Sequence, residues 1–584
     1  MRRWLHLLIV LTFALGALGT VNRNTPARAQ EGPTGIFYGT WPYQLPPDQH
    51  LNSFVTGGAN ENLGVAFWPL VELPSAWYIW AEERYEPLLA EEFGFDGEEA
   101  YVLKIHKDAT WSNGTPVTAD DVLGTYAIGR ILVWEDFNYV DHLEKVDDKT
   151  VRFVLSVPTL RVERLILKTY IRSAETYAPL IEKSIEMFES GATSTDQAWL
   201  DLQTEIKEFR PEAMIASGPY VYSLDDVGDS YMTLHWQPNS HLSSQVKFGE
   251  IRIWAGETEA TTPLVLSGEI AHATNNYPPS TQQAFLDAGI RILRPPLLYG
   301  AALYFNHNRS PWNIKEVRQA VAMVIDREEN AFLQRGLSGR PVQYMAGLSD
   351  ALVPFWLDEE TINKLNPYTK DLEEAAALLE SIGFEQRDGK WYDADGNPVQ
   401  GEYIFQAEWT DFAASAQHAT DELNAFGFDI TARAVPWQQQ LDDIRDGNFD
   451  LAVMSWGRGS PFPADHFTNP LRRFNYLGLT EGRPGIGFQM QFEWNGEQID
   501  LDKMIADSAA GMDREAQKAL VAQIALIYND LLPCVPLSEL VGTEPLNEQL
   551  LSGIPAEDDP IWQNVNSENA ITYLILMGVL GPAQ

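Results

Sequence analysis

At 584 residues the chain exceeds what one hydrophobic core can organise, since cores stop growing near ~250–300 residues, so two large lobes or several smaller domains are expected. A hydrophobic content of 45% with eighteen Trp excludes a disordered chain. A formal charge of −41, with no basic patch to interrupt it, excludes nucleic acid as a partner; the acidity reads as a solubility device and marks no site.

The N-terminus carries a basic pair, Arg2 and Arg3, before an apolar stretch from Trp4 to Leu18. That stretch is shorter than the ~20 residues a membrane helix needs. Ala27-Arg28-Ala29 then fits a small-x-small cleavage site, so residues 1–29 are predicted to be a signal peptide with Gln30 as the mature start. The single cysteine, Cys534, permits no disulfide within the chain, and no cysteine stands beside the signal segment to take a lipid. Export to the periplasm or cell surface, without an N-terminal Cys anchor, is the expected location. Cys534 sits in Leu531-Leu532-Pro533-Cys534-Val535-Pro536, an apolar context that predicts a buried, inert thiol.

Further along, strand-like runs alternate with amphipathic helices, the pattern of an α/β architecture. Tyr101-Val102-Leu103-Lys104-Ile105 alternates as a strand. After the Ser112-Asn113-Gly114 turn, Thr118 caps a helix whose first turn holds Asp120 and Asp121. Val151-Arg152-Phe153-Val154-Leu155 is a second strand, entered through the Asp147-Asp148-Lys149 turn. A helix is predicted from Asn313, with Glu316 at capping-box spacing, and another from Asp371, with Glu374 three residues on and Gly383 as its stop. Residues 388–396 read as a hairpin, and residues 516–532 as a helix ended by Pro533.

No His-Glu-x-x-His helix, phosphate-binding Gly-Lys loop or Gly-x-Ser-x-Gly elbow is present, so no catalytic residue is assigned. Asp393-Ala394-Asp395-Gly396-Asn397 is a poor calcium loop, since Pro398 replaces its Gly and Ile404 its bidentate Glu. A surface turn is expected there, and neither a metal nor a cofactor is assigned. A secreted hydrolase is the reading from another class that carboxylate counts alone leave open.

The run Trp111-Ser112-Asn113-Gly114-Thr115-Pro116-Val117-Thr118-Ala119-Asp120-Asp121-Val122 resembles the signature of the extracytoplasmic solute-binding proteins of family 5, which serve dipeptide, oligopeptide and nickel importers. Ser217-Gly218-Pro219-Tyr220, Leu303-Tyr304-Phe305-Asn306, Val317-Arg318-Gln319-Ala320 and Gly447-Asn448-Phe449-Asp450-Leu451 extend the resemblance along the mature chain. It implies an α/β, two-lobe, periplasmic-binding-protein-like fold of type II, in the large cluster with an extra subdomain and a cleft between the lobes. Lobe 1 with the extra subdomain would span 31–298, lobe 2 299–536, and 537–584 would return to lobe 1, with the Pro295-Pro296 and Pro533–Pro536 stretches at the two crossings. The implied partners are a small-molecule ligand, oligopeptide or oligosaccharide, and the permease and ATPase of an ABC importer. The implied state is a monomer.

The resemblance also places the ligand site, at Trp437, Trp456, Gly457, Arg458, Gly459 and Ser460. The two Trp correspond to cleft-lining aromatics of oligopeptide-binding members, a role suited to large, stiff, flat side chains. Gly459 stands where peptide-binding members carry an Asp for the ligand's amino terminus, which argues against an amine bound in the usual way. Arg458 would instead face a neutral or anionic group. The segment Gly39-Thr40-Trp41-Pro42-Tyr43, with Leu45-Pro46-Pro47 and His50 to Phe54, resembles a sub-branch with sugar-binding members, which makes an oligosaccharide the alternative cargo.

Overall fold

The computed structural model describes residues 32–41 and 49–583. The expected signal peptide, its cleavage site and residues 42–48 lie outside the described residues. Two sheets organise the fold. A seven-stranded sheet runs in the order Arg291–Leu293, Glu544–Leu546, His272–Ala273, Gly35–Thr40, Phe248–Trp254, Tyr231–Trp236 and Tyr220–Val221. A five-stranded sheet runs Asp429–Val435, Gln400–Gln406, Leu451–Gly457, Tyr299–Phe305 and Cys534–Pro536. Each sheet has its own buried apolar core, so the chain forms two lobes.

The first lobe also carries a four-stranded antiparallel sheet, Ala90–Asp96, Ala100–Ile105, Thr150–Leu155 and Val140–Lys145. Its alternation is plain in the burial: Tyr101, Leu103 and Ile105 are buried while Val102 and Lys104 are half exposed. Helices Ala119–Ile131, Ala174–Glu189 and Gln197–Glu208 enclose a satellite core around Ile128, Tyr177 and Trp199. Thr118 caps the first of these, and the Asp121 carboxylate accepts the Thr118 amide in return, closing a capping box.

Local sequence chemistry explains most of the second lobe. Asp371 caps helix Leu372–Ser381 by accepting from the Glu374 amide, and Gly383 follows with a left-handed backbone. The hairpin Glu385–Arg387 and Lys390–Tyr392 turns at Asp388-Gly389, both at positive φ. The Asp393 carboxylate is taken up by the amides of Asp395 and Asn397 in a surface turn. The helix expected from Asn313 begins instead at Lys315 and ends at Val324, without a side-chain cap. Residues 309–314 are closed on themselves by the bonds Asn313 N–H to Arg309 and Ile314 N–H to Pro311, so the turn preceding the helix absorbs Asn313. Cys534 is buried against Tyr528, and burial pushes its thiol up to about 12.

The chain passes between the two sheets at 294–298 and again at 537–543. These passages are bonded to each other: the Leu297 amide donates to Leu540, the Gly542 amide to Pro295, and Pro296 pairs antiparallel with Val541. Cys534–Pro536 remains a strand of the second lobe, so the second passage begins just after that Pro-rich stretch.

Three histidines, His466 buried and His241 and His307 half-buried, give the fold a defined acid response. Each donates from Nε2 to a backbone carbonyl, His241 to Leu88, His307 to Pro533 and His466 to Ser460. Burial pushes them down to about 4, about 3 and about 4, aided by neighbouring His106 and Arg318 for the first two. An unfolded histidine titrates near ~6.5. Between that value and about 4 the unfolded chain therefore binds protons that the folded chain refuses. Their contribution is fully present above pH ~6.5 and is lost as the pH falls toward 4. Denaturant midpoints measured at pH 7.5 and pH 4.5 should differ clearly, and the His466→Gln variant should narrow the gap; equal midpoints would contradict the assignment.

Candidate ligand-binding cleft

Strand Leu451–Gly457 runs to the interlobe cleft beside Tyr299–Phe305, with Tyr299 opposite Gly457 and Gly300 opposite Trp456. Gly457 has φ +75, and a Cβ there would lie 2.4 Å from the Leu298 carbonyl oxygen, so backbone conformation and close approach both demand glycine. Asn469 Nδ2 donates to the Gly457 carbonyl at 2.6 Å. Three residues later, Ser460 Oγ donates to Asp465 at 2.6 Å while its carbonyl accepts from buried His466. The loop is thus anchored at both ends, and only Arg458 and Gly459 between the anchors are exposed.

Two chambers meet at that exposed pair. The larger, about 1330 Å³, is bounded by Tyr277, Tyr299, Trp409 and Phe412, with Glu257, Glu259, Glu408, Arg458 and Arg473 on its walls. The smaller, about 770 Å³, is bounded by Tyr139 and Phe462 and by Arg161, Arg164, Lys168, Arg458 and Arg472. Both draw residues from both lobes. The lobes touch along the outer rim of the smaller chamber, where Arg161 meets Asp465 at 2.6 Å and the Leu160 amide donates to Gly511. Across the larger chamber, Arg335 Nη1 donates to Asn276 at 3.0 Å.

Charge is distributed unequally between the chambers. Glu257, Glu259 and Glu408 are exposed in the larger one, and among the described residues no cation pairs with them. Glu408 accepts the Trp437 amide at 3.1 Å. Arg458 and Arg473 likewise have no carboxylate partner among the described residues. In the smaller chamber Arg164 and Lys168 share a single buried carboxylate, Glu568, at 3.1 and 2.9 Å. Burial alone would raise the Glu568 carboxyl, but the two cations hold it down to about 2. Burial dominates at Lys168 and lowers it, with Glu568 opposing. Asp136 is raised, again chiefly by burial.

The residues singled out from sequence fall at three depths. Arg458 and Gly459 face both chambers, Gly457 lines the larger and Ser460 the smaller. Trp437 is partly buried and acts at one remove: its ring stacks on Trp409 at 4.8 Å, and Trp409, 37% exposed, is the ring on the chamber wall. Trp456 is 0% exposed and its indole N–H donates to the Ser538 carbonyl at 2.8 Å, which places it in the core behind the wall. A strand alternates sides, so Trp456 turns inward while half-buried Ser455 lines the chamber. The carboxylate absent at 459 is not absent from the cleft, since Glu257, Glu259 and Glu408 supply it from other elements. Sequence reasoning missed these acids, Trp409 and the Arg161–Lys168 helix. That helix spaces Arg161, Arg164 and Lys168 at helical intervals on one side, a signal that could have been read.

Two α/β lobes joined by two chain crossings bonded to each other and enclosing a mixed-charge cleft define a bilobal solute-binding protein. The chain belongs to the bacterial extracellular solute-binding proteins, family 5, whose middle segment matches residues 84–475. The peptidoglycan-binding protein YepA of Agrobacterium fabrum is 38% identical over 461 residues, 72% of this chain and 71% of its own. The oligopeptide-binding protein OppA of Mycobacterium bovis is 24% identical over 572 residues, 92% of this chain and 85% of its own. A periplasmic oligopeptide-binding protein of Thermotoga maritima shares the fold with a TM-score of 0.72 at 21% identity, over 92% of this chain and 98% of its own. Its mannohexaose-bound structure aligns with a TM-score of 0.61 at 20% identity, over 95% and 99%. Among the described residues, no helix is long and apolar enough to cross a membrane.

Proposed function

We propose that the chain is the extracytoplasmic substrate-binding component of an ABC importer, and that its cleft captures a peptide-class solute for a permease and ATPase complex. One observation carries the reading of the cargo: a single interlobe cleft holds unpaired charges of both signs. A zwitterionic peptide answers both, its ammonium beside Glu257, Glu259 or Glu408 and its carboxylate beside Arg458 or Arg473. The binding loop is Gly457, Arg458, Gly459 and Ser460, with Trp437 supporting Trp409. Trp456 supports the wall from behind. The bonded crossings at 294–298 and 537–543 serve as the hinge on which the lobes close. The protein binds and releases its cargo without turnover.

A second reading, an oligosaccharide, draws on the stacked Trp409–Trp437 pair, whose outer ring offers a flat face for a sugar, and on the mannohexaose-bound fold relative. A thermal-shift panel separates the two. At a hundredfold excess over Kd a ligand adds about 2.7 kcal/mol of stability. That corresponds to a melting shift of roughly 5–10 °C in lobes of this size. Free tetrapeptides or peptidoglycan-derived peptides should give such a shift and N-acetylated tetrapeptides a much smaller one. A shift produced by mannohexaose and by no peptide would replace the peptide reading with the sugar.

A further inference from the structure

The larger and smaller chambers share two lining residues, Arg458 and Gly459, so the cleft is divided into two compartments at this loop. The loop is not free to move aside. Gly457 is packed against the Leu298 carbonyl and held by Asn469, while Ser460 is tied to Asp465 and His466. Whatever passes from one compartment to the other must pass over the two residues between these anchors.

Gly459 differs from its neighbour Gly457 in what requires it to be glycine. Its backbone lies outside the left-handed region, and a Cβ built on it would meet no atom within 4 Å. Neither conformation nor packing excludes a side chain there. The space above it is open cleft, and any larger residue would project into the junction of the compartments. The volumes of about 1330 and 770 Å³ also bear on the cargo. Pockets for drug-sized ligands occupy ~300–1,000 Å³, so the larger chamber alone exceeds a compact ligand and the pair suits an extended one. In the larger chamber Gln334 is 5% exposed and its Nε2 has no hydrogen-bond partner, leaving a buried donor for an acceptor group of the cargo.

We propose that Gly459 is the crossing point of the cleft: the cargo is an extended oligomer whose main chain runs over this residue from the larger chamber into the smaller, and the missing side chain sets its length class. This deepens the peptide reading above and rests on it. Compact solutes and dipeptides would fill only one side of the crossing, whereas a longer chain would gain contacts in both. The position lacking the amine-pairing acid thus acquires a role through its emptiness.

The Gly459→Trp variant tests this with two probes, a tripeptide and an octapeptide beginning with the same three residues, titrated calorimetrically. Wild type should bind the octapeptide at least tenfold more tightly than the tripeptide. In the variant the octapeptide should weaken at least thirtyfold, and by at least tenfold more than the tripeptide. Gly459→Leu should give an intermediate loss, and both variants should melt within 2 °C of wild type, roughly the shift of a sub-kcal change in a lobe of this size. Equal weakening of both probes, or none of either, overturns the crossing while leaving a peptide binder. A wild type that holds the tripeptide as tightly as the octapeptide does the same. A wild type that binds neither overturns the peptide reading as well.

Discussion

Replacing Glu568 with alanine is expected to destabilise the first lobe by about 3–5 kcal/mol, the range for removing one partner from a buried ion pair. Glu568 is 3% exposed and serves four groups at once: Arg164, Lys168, the Trp80 indole at 3.0 Å and the Ser567 hydroxyl at 2.6 Å. Its loss leaves the Arg164 guanidinium buried against Tyr78 and Trp80 with no carboxylate. The double variant with Arg164→Met should recover part of the loss, since no uncompensated guanidinium is then left in the interior. The same group fixes a pH window. Its folded carboxyl titrates near 2, below the ~4.3 of a free glutamate, so its contribution is present above ~4.3 and is lost as pH falls through about 2. Urea unfolding of wild type and variant at pH 7 measures the effect, and a difference below ~1 kcal/mol, within the range of an exposed pair, would show the cluster to be dispensable.

Trp456→Ala and Trp409→Ala should part company. Truncating a fully buried Trp costs about 3–5 kcal/mol, and here it also removes the indole donor to the Ser538 carbonyl on strand Ser538–Leu540. Trp456→Ala should therefore lower the melting temperature by roughly 6–20 °C, at ~2–4 °C per kcal/mol. Trp409 is a partly exposed ring on the chamber wall, so its removal should lower stability by less than ~1 kcal/mol while weakening peptide binding at least tenfold. Binding must be measured at a temperature where both variants remain folded. A Trp456 variant that keeps its stability and loses only binding would return that residue to the cleft.

The contrast between these two rings shows where sequence is legible and where it is not. Features written in adjacent residues survive into the structure: the Thr118–Asp121 box, the Asp371 cap, the Asp388-Gly389 hairpin and the alternation of Tyr101, Leu103 and Ile105. So does the family, because its motifs lie along most of the chain. The loop 457–460, placed from the family resemblance, lies at the end of strand Leu451–Gly457 and lines the two chambers. The depth of a side chain is a different quantity. Trp437 and Trp456 look alike in sequence, but strand register against Tyr299–Phe305 sends Trp456 toward Ser538, and stacking puts Trp409 in front of Trp437. Charge pairing across hundreds of positions is equally hidden. Nothing near Arg164 in sequence announces Glu568, and nothing near Gly459 announces Glu408, because both juxtapositions are made by tertiary packing within a lobe.

Isothermal titration of the wild-type protein with an octapeptide, free or blocked at its ends, tests the central claim most directly. The expected result is one peptide per chain, at least tenfold weaker binding when either the amine is acetylated or the carboxylate amidated, and peptide recovered intact after prolonged incubation. Binding indifferent to both blocking groups, or cleavage of the peptide during incubation, would contradict a cleft that captures a zwitterionic chain by its unpaired charges.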